Sequence, residues 1–233
     1  MNVSGHNYYV KLPNGYSADT PYKVMIVFPP TGNPITWSEQ SAGYEQSAPD
    51  AIRVYTHMSV QSNGWQPNET NFFGPLLDKI TGDYCIDETR IFAGGESSGG
   101  EFAGFVGCQY GDRLRGVVPT APKKTSYQID ITKQNCTGNP TAIVIYSTMD
   151  NVLNSNRAGE EFTEFYREMN GCETSDTPVE GYTDEKSNCK MFNGCMEGSN
   201  TYHCVHKDPE YSNTYHGWPK MAGAMTWSVF DKL

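Results

Sequence analysis

The chain has 233 residues and a formal net charge of −10 at pH 7, which argues against nucleic acid or an anionic membrane surface as a partner. It contains no run of 18 apolar residues, so we predict no transmembrane helix. The length suits one domain over residues 1–233, with a core large enough that folding requires neither a metal nor a disulfide.

Five short runs of apolar and β-branched residues predict buried strands. They span 22–28, 52–55, 90–93, 116–120 and 141–147. Such runs are typical of a parallel sheet that is covered on both faces, because its strands have no solvent-facing side. Pro29-Pro30 ends the first run, and a short last strand is expected near 201–205.

Four segments are predicted to be helical: 72–80, 98–109, 157–169 and roughly 221–232. Strands that alternate with helices predict an α/β fold, a three-layer sandwich with a mostly parallel central sheet and right-handed crossovers. The segment 173–213 is polar, rich in cysteine and without clear periodicity. We interpret it as an irregular insertion pinned by disulfides.

Seven cysteines without a C-x-x-C pair favour disulfides in a secreted protein over a zinc site, with at least one thiol free or paired between chains. We predict Cys85 and Cys108 at the same end of the sheet, where they could form a disulfide, while Cys136 competes for Cys108. The other four allow three pairings that the sequence leaves open: Cys172, Cys189, Cys195 and Cys204. Because the first residues lack the features of a signal peptide, we expect a mature or excised domain with an added Met.

The most informative motif is G-x-S-x-G, formed by Gly95, Ser97 and Gly99. A predicted strand precedes it and a predicted helix follows it. This is the context of a nucleophile elbow, a tight turn that presents a serine at the top of a sheet. Glycine-rich turns without a chemical role can carry the same motif, but the strand and helix around it favour a nucleophile.

A nucleophilic serine needs a base and an acid, and behind such an elbow the order along the chain is Ser, then Asp or Glu, then His. His216 lies in a loop just before the last helix and is the predicted base; the alternative is a surface histidine. The remaining histidines precede Ser97 or flank a cysteine in a predicted strand: His6, His57, His203 and His206.

Asp150 is the predicted acid because it directly follows the strand 141–147. Asp112 and Asp184 are poorer candidates, and a turn-forming or helix-capping role is the alternative for Asp150. In this assignment Asp150 orients His216 and stabilises its cation, while His216 takes the proton of Ser97.

The oxyanion hole requires two backbone N–H donors. Ser98, at the start of the helix after the nucleophile, supplies one, because helix N-termini favour anions. The other is expected from the loop after the first long strand. Pro29 and Pro30 have no N–H, so Thr31 is the first possible donor and Gly32 is the fallback.

With these residues in place, the chain resembles the feruloyl esterases and acetylxylan esterases of the first carbohydrate esterase family, relatives of the polyhydroxyalkanoate depolymerases. The matching stretches are 84–92, 95–100, 147–150, 170–172 and 216–219, within about residues 22–220. The resemblance implies a secreted α/β-hydrolase that cuts ester-linked ferulate or acetate from plant-wall xylan, without a metal or other cofactor. The alternatives are an acetylxylan esterase, a polyester depolymerase or a non-catalytic wall-binding module on a hydrolase fold.

The chain departs from this family at Pro29-Pro30, where the family usually has His-Gly, so we expect an oxyanion loop of another shape. Aromatic residues make up 12% of the chain and are compatible with an aromatic or sugar substrate. Trp65, in a loop expected at the top of the sheet, and Trp218, next to the predicted base, are candidate substrate contacts. For Trp218, a core or loop-anchoring role is the alternative.

Overall fold

The computed structural model of the protein describes residues 1–59, 63–122, 136–153, 157–208 and 214–233. Ten strands occur in this part of the chain: β1 (Asn2–Val3), β2 (His6–Lys11), β3 (Tyr22–Phe28), β4 (Ile52–Thr56), β5 (Ile86–Glu96), β6 (Gly116–Thr120), β7 (Thr141–Tyr146), β8 (Asp176–Thr183), β9 (Ser187–Phe192) and β10 (Thr201–His206). The helices are α1 (Ile35–Ser41), α2 (Tyr44–Ser47), α3 (Phe73–Asp83), α4 (Ser98–Gln109), α5 (Arg157–Met169) and α6 (Ala222–Phe230), with a 3₁₀ helix at Pro67–Phe72.

The strands form one sheet in the order β1-β2-β4-β3-β5-β6-β7-β10-β9-β8. The six inner strands, from β4 to β10, run parallel. Antiparallel pairs close the sheet at both edges. The carboxyl ends of the parallel strands therefore lie at one end of the sheet, where α/β folds bind their ligands.

Alternating residues of the central strands enter two hydrophobic cores. In β3, Val24, Ile26 and Phe28 join one core with residues of α3, α4 and α5, whereas Met25 and Val27 join the other with residues of α2 and α6. Successive side chains of a strand point to opposite faces of a sheet, so helices cover both faces. The predicted three-layer α/β fold is confirmed. None of the described helices is long and apolar enough to cross a bilayer.

The segment predicted as an irregular insertion instead extends the sheet. β8 and β9 form an antiparallel hairpin, β9 pairs with β10, and β10 lies parallel to β7. The last strand was expected near 201–205 and is present, but the hairpin was missed. β8 is an edge strand with residues exposed on both faces, and such a strand has no hydrophobic alternation to detect.

The disulfides differ from the favoured pairing. Cys108 is bonded to Cys136, and Cys85 is free. Cys85 directly precedes β5, and its N–H donates to the Tyr16 hydroxyl, whereas Thr137 N–H donates to Cys108 O and holds residue 136 at the end of α4. The four cysteines of the later segment form two bonds: Cys172–Cys195 and Cys189–Cys204.

Candidate active site

The turn between β5 and α4 has the backbone geometry of a nucleophile elbow. β5 ends at Glu96 and α4 begins at Ser98, so Ser97 alone makes the turn, with φ 55° and ψ −118°. Its N–H donates to Thr120 O at 2.9 Å, and its carbonyl accepts the N–H of Glu101 at 2.9 Å. A serine at positive φ costs about 1–3 kcal/mol, which the surrounding structure must offset. The motif therefore lies in the strained strand-to-helix turn that it requires.

Glycines allow the backbones around this turn to touch. A Cβ on Gly95 would lie 2.2 Å from the carbonyl oxygen of Gly99, and one on Gly99 would lie 2.2 Å from that of Phe28. A Cβ on Gly100 would lie 2.3 Å from Thr120 O. No side chain fits at such distances, so α4 packs directly on the backbones of the neighbouring strands.

Asp150 and His216 form a hydrogen-bonded pair. Oδ2 of Asp150 lies 2.6 Å from Nδ1 of His216, and both side chains are largely buried. The other oxygen, Oδ1, accepts the backbone N–H groups of Val152 at 2.9 Å and Leu153 at 3.1 Å. Because both oxygens of Asp150 accept hydrogen bonds, its carboxylate is held in one orientation. The bond to Nδ1 of His216 leaves Nε2 of that ring for proton transfer.

Two neighbouring strands supply this pair. Asp150 follows β7, and His216 lies in the loop that follows β10. The strands are parallel, with Tyr146 paired to Val205 near their ends. Just beyond, Ser147 Oγ–H donates to His206 O at 2.7 Å, which joins the two strand ends.

The turn after β3 lies against the elbow. Asn33 N–H donates to Pro30 O at 3.3 Å and Gly32 has a φ of +81°, so Thr31 is the first central residue of a turn. Thr31 Oγ1–H donates to Ser98 Oγ at 2.9 Å. The first N–H groups of an α-helix have no acceptor within the helix, so Ser98 N–H is available at this point. The two residues predicted to bind the oxyanion are thus in contact.

Trp65 and Trp218, the predicted substrate contacts, lie in the hydrophobic cores. Trp65 is 4% exposed, stacks on Phe102 with ring centroids 4.3 Å apart, and donates Nε1–H to Pro29 O at 2.9 Å. Trp218 is 1% exposed and packs edge-on against Tyr44. Packed indoles leave no face for a substrate. Trp65 instead anchors the loop after β3 through its bond to Pro29.

Glu96 is a buried carboxyl group that the sequence analysis did not single out. It is 4% exposed, and its Oε2 accepts Nε1–H of Trp37 at 3.0 Å. Burial raises the pKa of Glu96 to about 7, although the Trp37 bond and the charge of His216 pull it down. The sequence signal that could have identified Glu96 is its position, because it is a charged residue inside the elbow motif, directly before Ser97.

No family model matches the chain. Feruloyl esterase D of Neurospora crassa is 22% identical over 258 residues, which cover 100% of this chain and 84% of that protein. Feruloyl esterase B of Piromyces equi is 25% identical over 222 residues; the match covers 81% of this chain and 39% of that protein's length. Among solved structures, an acetyl xylan esterase from Aspergillus awamori has a TM-score of 0.70 at 13% identity, with 97% and 95% of the two chains covered.

The sheet order, with the elbow at Ser97 and the Asp150–His216 pair, is that of the α/β-hydrolase fold. Within that class the chain is similar in sequence to feruloyl esterases and in fold to an acetyl xylan esterase. The resemblance predicted from the sequence is confirmed.

Proposed function

We propose that the protein is a feruloyl esterase that releases ferulate from feruloylated plant-wall xylan, with Ser97, His216 and Asp150 as its catalytic triad. The observation that carries the proposal is the Asp150–His216 pair, which follows two parallel strands of the sheet that bears the Ser97 elbow. The similarity to two feruloyl esterases supports feruloyl esters as the substrate class.

In the acylation step, Ser97 Oγ attacks the ester carbonyl carbon while Nε2 of His216 takes the hydroxyl proton. Asp150, bonded to Nδ1, stabilises the imidazolium. The carbonyl oxygen becomes an oxyanion, which accepts the N–H groups of Ser98 and Thr31. The intermediate then collapses, the bond to the sugar oxygen breaks, and His216 returns its proton to that oxygen.

Deacylation repeats these roles with water as the nucleophile. His216 takes a proton from water, the resulting hydroxide attacks the feruloyl-serine carbonyl, and the oxyanion occupies the same site. Collapse of the second intermediate breaks the bond to Ser97 Oγ, which regains the proton. The products are ferulic acid and free enzyme.

Apolar surface beside the acid supports an aromatic acyl group. Met149 and Val152, on either side of Asp150, are 45% and 53% exposed. Exposed apolar side chains next to buried polar groups are typical of a binding site for a ligand with an apolar body. We propose that Met149 and Val152 contact the feruloyl ring, in place of the two tryptophans first considered.

We also propose that the protein acts outside the cell, on esters of the plant wall. Three disulfides among the described residues favour an oxidising compartment. A neutral polysaccharide ester is compatible with the net charge of −10, which would repel polyanions.

The second candidate is an acetylxylan esterase, favoured by the TM-score of 0.70 with the acetyl xylan esterase structure. The triad and oxyanion groups would act in the same way on an acetyl ester. The two functions differ only in the acyl group, so a panel of substrates separates them.

The test is turnover of methyl ferulate, acetylated xylan, 4-nitrophenyl acetate and a hydroxybutyrate oligomer by the purified protein. We expect ferulate release with the highest kcat/KM. Ser97→Ala and His216→Ala should lower kcat by about 10⁴-fold or more, and Asp150→Asn by less. A fluorophosphonate should label Ser97 and fail to label Ser97→Ala. Acetate release without ferulate release would favour the second candidate, and no labelling of Ser97 would contradict both.

A further inference from the structure

The turn after β3 is weakly held by its own hydrogen bonds. Pro29 and Pro30 have no N–H to donate. Asn33 N–H donates to Pro30 O at 3.3 Å, and the side-chain amide of Asn33 donates to Thr31 O at 3.5 Å, which are long distances for such bonds. An oxyanion donor has to lie about 2.7–3.1 Å from the anion, so Thr31 requires support from outside its own turn.

Gly64 packs directly against the contact between Thr31 and Ser98. A Cβ on Gly64 would lie 2.5 Å from Thr31 Oγ1, 3.2 Å from Ser98 Cβ and 3.3 Å from Ser98 Oγ. These distances are below the separation of about 3.5 Å at which non-bonded carbon atoms pack best, so no side chain fits unless Thr31 moves. Gly64 is buried and has a φ of +70°, which glycine adopts without strain. The contact between the two proposed oxyanion residues is therefore enclosed by Gly64.

Trp65, the next residue along the chain, supplies a bond that the two prolines cannot make. Its Nε1–H donates to Pro29 O at 2.9 Å, and its indole stacks on Phe102 of α4 with ring centroids 4.3 Å apart. Trp65 thus joins the residue before the turn to the helix that begins at Ser98. Because α4 carries one proposed oxyanion donor and the turn carries the other, this side chain fixes the spacing between them.

Glu69 holds the segment 64–66 in place. Its Oε2 accepts Gln66 N–H, while its Oε1 lies 2.9 Å from Nε2 of His6 in β2. The side-chain amide of Gln66 in turn donates to Gly64 O at 3.2 Å. The segment is therefore tied to β2 and to the 3₁₀ helix as well as to the residues that it supports.

We propose that Gly64 and Trp65 are positioning residues of the esterase reaction. They hold Thr31 N–H at the separation from Ser98 N–H that the oxyanion requires. Gly64 acts through its close contact with Thr31, and Trp65 acts through its bond to Pro29 O. The inference rests on the proposed function, because it requires Ser98 and Thr31 to bind the oxyanion.

A positioning role has a kinetic signature that a packing role lacks. Oxyanion contacts form in the transition state, so a displaced donor lowers kcat and leaves KM unchanged. We expect kcat of Trp65→Phe to be about 10-fold lower than that of the wild type, with KM for methyl ferulate within about 2-fold. Trp227→Phe is the matched control. Trp227 is 6% exposed in α6 and lies beside Lys23 at the start of β3, the opposite end of the sheet from Ser97, so kcat should not change.

Gly64→Ala tests the contact itself, and Thr31→Ala provides its rescue. In the wild-type background the added methyl group displaces Thr31 Oγ1, so kcat should fall by about 10-fold. In the Thr31→Ala background that oxygen is absent, and the same methyl group should lower kcat by less than about 3-fold. Gly15→Ala is the control for backbone strain, because Gly15 has a φ of +73° and no atom within 4 Å of its would-be Cβ. It should lower the melting temperature and leave kcat unchanged.

Additive losses of kcat in the Gly64→Ala and Thr31→Ala double variant would overturn this inference and leave the esterase assignment intact. So would a Trp65→Phe variant with the kcat of the wild type, or one in which only KM changes. If Trp65→Phe does not fold, the comparison of the two Gly64→Ala backgrounds decides by itself. If the wild type neither hydrolyses esters nor reacts with a fluorophosphonate, the proposed function and this inference both fail.

Discussion

The carbonyl oxygen of Phe28 lies 2.2 Å from the point that a Cβ on Gly99 would occupy. Backbone atoms of β3 and α4 must therefore separate in Gly99→Ala. We expect the free energy of unfolding to fall by about 3 kcal/mol or more. Displacement of Ser97 by about 1 Å should lower kcat/KM by about 100-fold. Thermal melts and ester hydrolysis measure the two effects.

Gly82→Ala is the matched control. Gly82 lies in α3 with no atom within 4 Å of its would-be Cβ. Alanine should raise stability there by about 0.5 kcal/mol and leave activity unchanged, because it is the better helix former. Equal effects of the two substitutions would contradict the close approach at the elbow.

The second oxyanion donor can be tested by two substitutions at one residue. Thr31→Ala removes the hydroxyl bonded to Ser98 but keeps the backbone N–H. Thr31→Pro removes both the hydroxyl and the backbone N–H, and proline is favoured at this position of a turn. We expect kcat to fall by less than about 10-fold for alanine and by about 10²–10³-fold for proline. Similar losses in both variants would assign the effect to the side chain and move the donor to Gly32.

The buried carboxylate of Glu69 predicts a stability that depends on pH. Oε1 of Glu69 lies 2.9 Å from Nε2 of His6 and accepts Ser59 N–H at 2.8 Å, while Oε2 accepts the N–H of Gln66. Burial would raise the pKa of Glu69, but these hydrogen bonds outweigh it and lower the pKa to about 2. The carboxylate therefore stabilises the fold above pH 4.5, and that contribution is lost as pH falls toward 2.

Glu69→Gln should accordingly cost about 2 kcal/mol at pH 7, seen as a melting temperature about 6 °C lower. The difference from the wild type should narrow as pH falls below 4.5. A difference in melting temperature that stays constant from pH 7 to pH 3 would show that the charge of Glu69 is not involved.

The disulfide pattern gives a prediction that separates the structure from the sequence-based pairing. The unfolded, unreduced protein should titrate one thiol, and peptide mapping should assign it to Cys85. Cys136→Ser, which opens a loop with a sequence separation of 28, should cost about 3 kcal/mol, whereas Cys85→Ser should have little effect. A free thiol at Cys136 would instead support the Cys85–Cys108 bond.

Local sequence pattern and chain order were sufficient to predict the buried strands, the elbow, and Asp150 and His216. The buried strands β3, β5 and β7 were recognisable from their runs of apolar and β-branched residues. Asp150 was predicted because it follows the strand 141–147, and His216 because it has the required place in chain order, just before the last helix. The elbow could be predicted because its glycines are a steric requirement of the turn. That the structure brings Asp150 and His216 together is a geometric fact, while their roles remain proposals.

Contacts between distant residues could not be predicted in this way. Trp65 looked like a loop aromatic because its partners, Phe102 and the carbonyl of Pro29, come from elements far away in the sequence. Trp37 and Glu96 meet for the same reason. No residue of β8 is fully buried, so no hydrophobic periodicity marked this strand of the hairpin.

Asp150 and His216 depend on two adjacent strands, and the β8–β9 hairpin lies beyond them at the edge of the sheet, tied to β10 by Cys189–Cys204. Between Asp150 and His216 the chain forms this hairpin at the sheet edge and then returns to the inner sheet as β10. Added length at the tip of the hairpin need not move Asp150 relative to His216. For engineering, the tip between β8 and β9 is the place to insert a sugar-binding module or an affinity tag while the hydrolase stays intact.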